Sequence, residues 1–183
     1  FFEGLSAAHC AAAPRRRPKR SASPAYRIRH HVEPRDPQRV RRLAESTGFF
    51  NRFEVAVAEE LVMERIAKGP TSGYHFVFVD VNGDLAGYTC YGPVPMTASA
   101  FDLYWIVVSP ESQGKGLGRI LLAETERLAR RAGGTHLYAD TSGRAQYAST
   151  RTFYERVGFR QEALLEDFYA PGDDLIIFTR LLS

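Results

Sequence analysis

Apolar positions along this chain repeat with two periods, and the changes from one period to the other predict its elements. Residues 26–32 alternate as a strand does, with Tyr26, Ile28 and His30 on one side. Asp36 is placed to cap a helix running through Val40 and Leu43 to about Ser46, with Pro37 at its first position. A second helix is expected over 52–68, where Val55, Ala58, Leu61, Val62 and Ile66 recur at helical spacing before Gly69-Pro70 stops it. Residues 74–81 and 85–91 read as apolar strands joined by a turn at Asn82-Gly83-Asp84. A strand over 101–108 leads through a glycine-rich loop into a helix over about 116–131, whose buried face includes Ile120, Leu121, Thr125, Leu128 and Ala129. A short strand at 136–140, a short helix at 147–157, and strands at 159–168 and 175–182 complete the pattern. The order β-α-α-β-β-β-α-β-α-β-β predicts a mixed α/β or α+β layered fold.

Composition narrows the picture only slightly. A chain of 183 residues, 44% hydrophobic and 25% charged, suits one globular domain. No apolar run approaches the roughly 18 residues that span a bilayer, so no membrane association is expected. The net charge of +3 is uneven: Arg15, Arg16, Arg17, Lys19 and Arg20 face Glu3 alone in the first 24 residues. That stretch is rich in Ala, Pro and Ser and has neither period, so it reads as a disordered basic tail or a non-native extension, with the domain occupying 25–183. The remainder is close to neutral, and no nucleic-acid partner is expected. The two cysteines, Cys10 and Cys90, point to a reducing, cytoplasmic setting rather than a disulfide. Histidines and cysteines show no metal-ligand spacing, so no metal is expected.

The glycine loop carries the chemistry. A strand delivering glycines into a helix N-terminus makes an anion site, because backbone N–H groups approach phosphate oxygens and the helix dipole adds positive potential. The P-loop spacing fails, since Lys115 lies between glycines with no Ser or Thr behind it. A dinucleotide loop is closer, with Asp140 in the place of the ribose-binding acid, but its third glycine is absent.

Gln113-x-x-Gly116-x-Gly118, together with the downstream run Phe153-Tyr154-Glu155-Arg156-Val157-Gly158-Phe159, resembles the two signatures of the GNAT N-acetyltransferase superfamily. The element order agrees over nearly the whole folded part. The resemblance implies a mixed, mostly antiparallel sheet flanked by helices, with one strand splayed from its neighbour at the acetyl-CoA site. It assigns the pyrophosphate to the amides of Gln113, Gly114, Lys115, Gly116, Leu117, Gly118 and Arg119, and the pantetheine and acetyl groups to the backbone of Ile106, Val107 and Val108. Tyr154 matches the tyrosine that protonates the departing thiolate. Asp102, eleven residues before Gln113, falls where one branch of the family carries its glutamate base. Glu166, Asp167 and His75 are weaker candidates for that base. Tyr147 and Thr150 stand where the family often has asparagine and alanine, and 141–146 looks long.

The function so implied is transfer of an acetyl group from acetyl-CoA, as co-substrate, to a primary amine, the acceptor being a small molecule. A protein lysine or N-terminus is the alternative acceptor, and a non-catalytic acyl-CoA-binding module the alternative of another class. A homodimer is left open.

Overall fold

Strands whose residues are apolar on both faces can be stable only between two layers, and the middle of this chain has such strands. A computed structural model describes residues 26–182, so the expected tail at 1–24, Cys10 included, lies outside the described residues. Seven strands form one sheet: β1 (Tyr26–Arg29), β2 (His75–Val81), β3 (Asp84–Pro93), β4 (Ala100–Val108), β5 (His136–Ser142), β6 (Arg160–Ala170) and β7 (Asp173–Leu181). Their spatial order is β1-β2-β3-β4-β5-β7-β6, antiparallel except where β4 meets β5. Four helices cover it: α1 (Asp36–Ser46), α2 (Arg52–Lys68), α3 (Leu117–Arg131) and α4 (Ala148–Arg156).

The period of two divides the core. On β2, Phe76 and Phe78 pack with Val40 and Leu43 of α1 and Ala58 and Val62 of α2. The alternate residues Val77 and Val79 pack with Leu121, Leu122 and Ala129 of α3 and with Tyr154 of α4. Each helix pair therefore holds its own face of the sheet, and the site is built where the two faces open between β4 and β5.

Several expectations are corrected in detail. β1 ends at Arg29 rather than at 32, and the buried residue is Arg29 on the opposite parity from Tyr26, which is exposed. Arg29 is drawn inward by two carboxylates: its Nη1 and Nη2 reach Asp36 at 2.6 Å and its Nε reaches Asp80 at 2.9 Å. Asp36 consequently lies inside α1 rather than capping it, accepting the Glu33 amide as well. Helix α2 has the expected limits, and Asn51 and Glu54 close its N-terminus as a capping box, a signature that the sequence carries as Asn51-x-x-Glu54. Ile66 is exposed, not part of the buried face. The turn joining β2 to β3 is Asn82-Gly83 alone, since Asp84 pairs with Val81. The long stretch after 140 is two further residues of β5 and a single 3-10 turn at Ala145–Tyr147.

Candidate active site

The loop after β4 owes its shape to glycine. Gly114 and Gly116 hold φ of 71° and 87°, the left-handed region that residues with a Cβ avoid. The Gln113 side chain donates from Nε2 to the Val108 carbonyl at 3.2 Å, tying the loop back to the strand end. Gly118 allows close approach: a Cβ there would lie 3.2 Å from the Phe153 ring of α4. Among the described residues, no backbone hydrogen bond is made by the amides of Gly114, Lys115, Gly116, Leu117 or Gly118. Five successive N–H groups at the head of a 15-residue helix are thus free for an anion.

This loop forms one end of a cavity of about 1120 Å³. Its floor is β4, which pairs with β5 only through Ala100–Asp102 and His136–Tyr138. Beyond that the two strands part, the splay expected from the resemblance. A bulge at the same place leaves Tyr104 without a partner on β3, because Cys90 pairs with Trp105 and Tyr91 with Leu103. Ile106, Val107 and Val108 line the cavity with their β5-facing backbone unpaired. An extended thioester arm could add there as a strand. Of the predicted loop residues, all but Lys115 line the cavity.

Tyr154 reaches the same space from α4. It is 4% exposed and its ring packs on Phe153, Phe159 and Phe178. Burial, with a contribution from the Asp140 charge, pushes its phenol above the ordinary tyrosine range. It is therefore a proton donor throughout the neutral range. Asp140, at the parting of β5 from β4, lines the cavity at its solvent-exposed side, and partial burial raises its carboxyl above the usual range. Asp102 is half-buried on β4 and does not line the cavity; burial and then the Asp140 charge raise its carboxyl too. His75, held below its usual range by burial and Arg65, lies outside the wall, as do Glu166 and Asp167. Asp167 lies in β6, at an irregularity where its φ is 52°, and its carboxylate accepts the Gly172 amide at 2.6 Å. Asp140 is the functional candidate that sequence reasoning missed. The sequence offered Asp140 only as the ribose-binding acid of a dinucleotide loop; the parallel pairing of β5 with β4 is what brings it to this cavity.

The far end of the cavity is aromatic. Phe49 and Phe50, just before α2, stand against Tyr147 and Trp105 at centroid distances of 4.7 and 5.0 Å respectively. The Tyr147 hydroxyl leans toward Glu54 Oε1 at 3.4 Å. Since α1 and α2 pack on the β2–β4 half, and Tyr147 follows β5, the Phe49–Tyr147 contact spans the splay. No group of three or more potential metal-ligating side chains is found among the described residues. Nor is any helix there long and apolar enough to cross a membrane.

The profile described as Acetyltransferase (GNAT) family matches residues 38–159. Among solved structures, a GNAT-family protein from Desulfovibrio desulfuricans is 52% identical, with a TM-score of 0.86, covering 87% of this chain and 100% of its own. The ribosomal-protein-S18-alanine N-acetyltransferase of Escherichia coli shares the fold at 21% identity and a TM-score of 0.67, over 87% of this chain and 95% of its own. An aminoglycoside 6'-N-acetyltransferase complexed with coenzyme A shares it at 15% identity and the same TM-score, over 85% and 97%. A search of curated sequences finds no significant relative.

Proposed function

The chain belongs to the acetyltransferase (GNAT) family, and on that premise we propose that it transfers acetyl directly from acetyl-CoA to a primary amine of a small molecule. The observation that carries this reading is the run of five free amides opening into the same cavity as the buried Tyr154 phenol. The pyrophosphate would take the five free amides from Gly114 to Gly118, those of Gln113 and Arg119 being spent on Ser109 and Gly116 carbonyls, and the pantetheine arm would lie along Ile106, Val107 and Val108. The amine nitrogen attacks the acetyl carbonyl carbon, and a β4 N–H lowers the barrier by bonding the developing oxyanion. The C–S bond then breaks, and Tyr154 gives its proton to the sulfur. Asp140 receives the amine proton through water, a role its place in the wall favours; Asp102, off the wall, is the second acid. The aromatic bridge over the splay supports a small acceptor, since a chain lying across the site would have to part Phe49 from Tyr147. Cys90, free and buried, suits a reducing cytoplasm.

The test is thermal unfolding with and without acetyl-CoA, followed by turnover of Tyr154→Phe. A saturable rise in Tm with acetyl-CoA and not with NAD is expected. The Tyr154→Phe variant should keep that rise and lose about a hundredfold in kcat. A variant with undiminished kcat, or a chain that acetyl-CoA does not stabilise, would sink the reading.

A further inference from the structure

Several of the cavity's polar groups have partners. Arg144 is paired with Asp173 at 3.0 Å, and Gln113 is spent on the strand end. Two carboxylates stand apart from this. Among the described residues no hydrogen bond or ion pair occupies Asp140, which lines the same cavity as the buried Tyr154 and acts on its phenol through its charge. The other is Glu54, at the aromatic end. Its Oε2 accepts the Asn51 amide at 2.7 Å as half of the capping box, which fixes the side chain against the first turn of α2. Its Oε1 is left with one long contact, from Tyr147 at 3.4 Å. A carboxylate rigidly held by a helix cap, with one oxygen aimed into a cavity, is a ready cation site.

The same cavity is lined by the rings of Phe49, Phe50, Trp105 and Tyr147. Such rings favour methylene or aryl groups and attract ammonium ions over their faces. One acid therefore serves the amine that reacts, and the second has no part in that chemistry. We infer that the acceptor is an amine carrying a second cationic group across an apolar spacer, with Glu54 as the residue that selects the second cation. This rests on the acetyl-transfer reading above and names the class of its acceptor.

The experiment compares straight-chain diamines of three to six carbons with monoamines of the same length, following thiol release by the full chain and by Glu54→Gln. Glutamine can hold the cap as glutamate does, so the variant removes the charge and leaves α2 closed. One charge-assisted contact corresponds to about a tenfold effect. The expected result is a kcat/KM about tenfold higher for the best diamine than for its matched monoamine. Glu54→Gln should abolish that preference through KM, with monoamine turnover, KM for acetyl-CoA and Tm unchanged.

Equal kcat/KM for diamines and monoamines would overturn the inference, as would a Glu54→Gln effect that falls equally on both. Turnover of neither, in a chain that acetyl-CoA still stabilises, would refute this acceptor class and leave acetyl transfer standing. Absence of that stabilisation would take both down together.

Discussion

Asp140 and Tyr154 face one cavity in opposite protonation states, and their surroundings explain why. Burial, complete for Tyr154 and partial for the exposed Asp140, raises both groups, but from different starting points: a carboxyl from about 3.9 and a phenol from about 10. A raised carboxyl is still ionised near neutrality and can take a proton; a raised phenol is still neutral there and can give one. The sign for activity follows. Turnover should climb as pH rises through the Asp140 pKa, above the usual carboxylate range, and Tyr154 should add no alkaline loss below 10. Asp140→Asn is expected to lower kcat by about a hundredfold and to erase that acid limb in a pH–rate profile. Retention of the limb would move the base elsewhere. For stability the sign is reversed: a carboxyl raised on folding favours the native state below its unfolded pKa, and that contribution is lost as pH rises through the folded value. The resemblance pointed to Asp102 by its distance from Gln113 along the chain. The cavity is made by two strands parting, and which acid faces the gap depends on β5.

At the scale of elements, the meeting of the glycine loop with α4 decides how well the anion site is held. Gly118 and Phe153 are in contact because neither has room to spare. Gly118→Val would force the Phe153 ring away, an overpacking cost of about 1–3 kcal/mol, and would shift the free amides with it. The affinity for acetyl-CoA should fall about tenfold or more by calorimetric titration, whereas Gly133→Ala, beyond the far end of α3, should leave it unchanged. Helix α3 and its loop were legible in the sequence, because the glycine spacing and the apolar period both bear on backbone geometry. The aromatic end was not. Phe49 and Phe50 read as loop residues, and only tertiary packing sets them against Tyr147, far along the chain.

The whole molecule is organised around a sheet whose central strands are buried on both faces, and four charged side chains are admitted together at one end of it. Arg29, Asp36, Arg39 and Asp80 interlock there, Arg39 reaching Asp80 at 2.6 Å and the Arg29 guanidinium lying over the Phe78 ring at 4.1 Å. Removing one member strands the others without water. Arg29→Met should destabilise the fold by about 3 kcal/mol, read as a lower urea midpoint, despite the greater apolarity of methionine. An unchanged midpoint would mean that Arg39 alone satisfies both acids. The alternation of β1 suggested an ordinary edge strand, and nothing local to it announces partners seven and fifty-one residues away.

Only three residue pairs stitch β4 to β5, whereas β3 pairs with β4 and β5 with β7 along seven residues each. In backbone hydrogen bonds the sheet is two plates joined along a short seam, with one apolar cluster packed across it on a single face. Heat or force should find that seam first. A thioester laid along β4 would then act as a splint, sharing the load of a joint that the chain itself leaves half sewn.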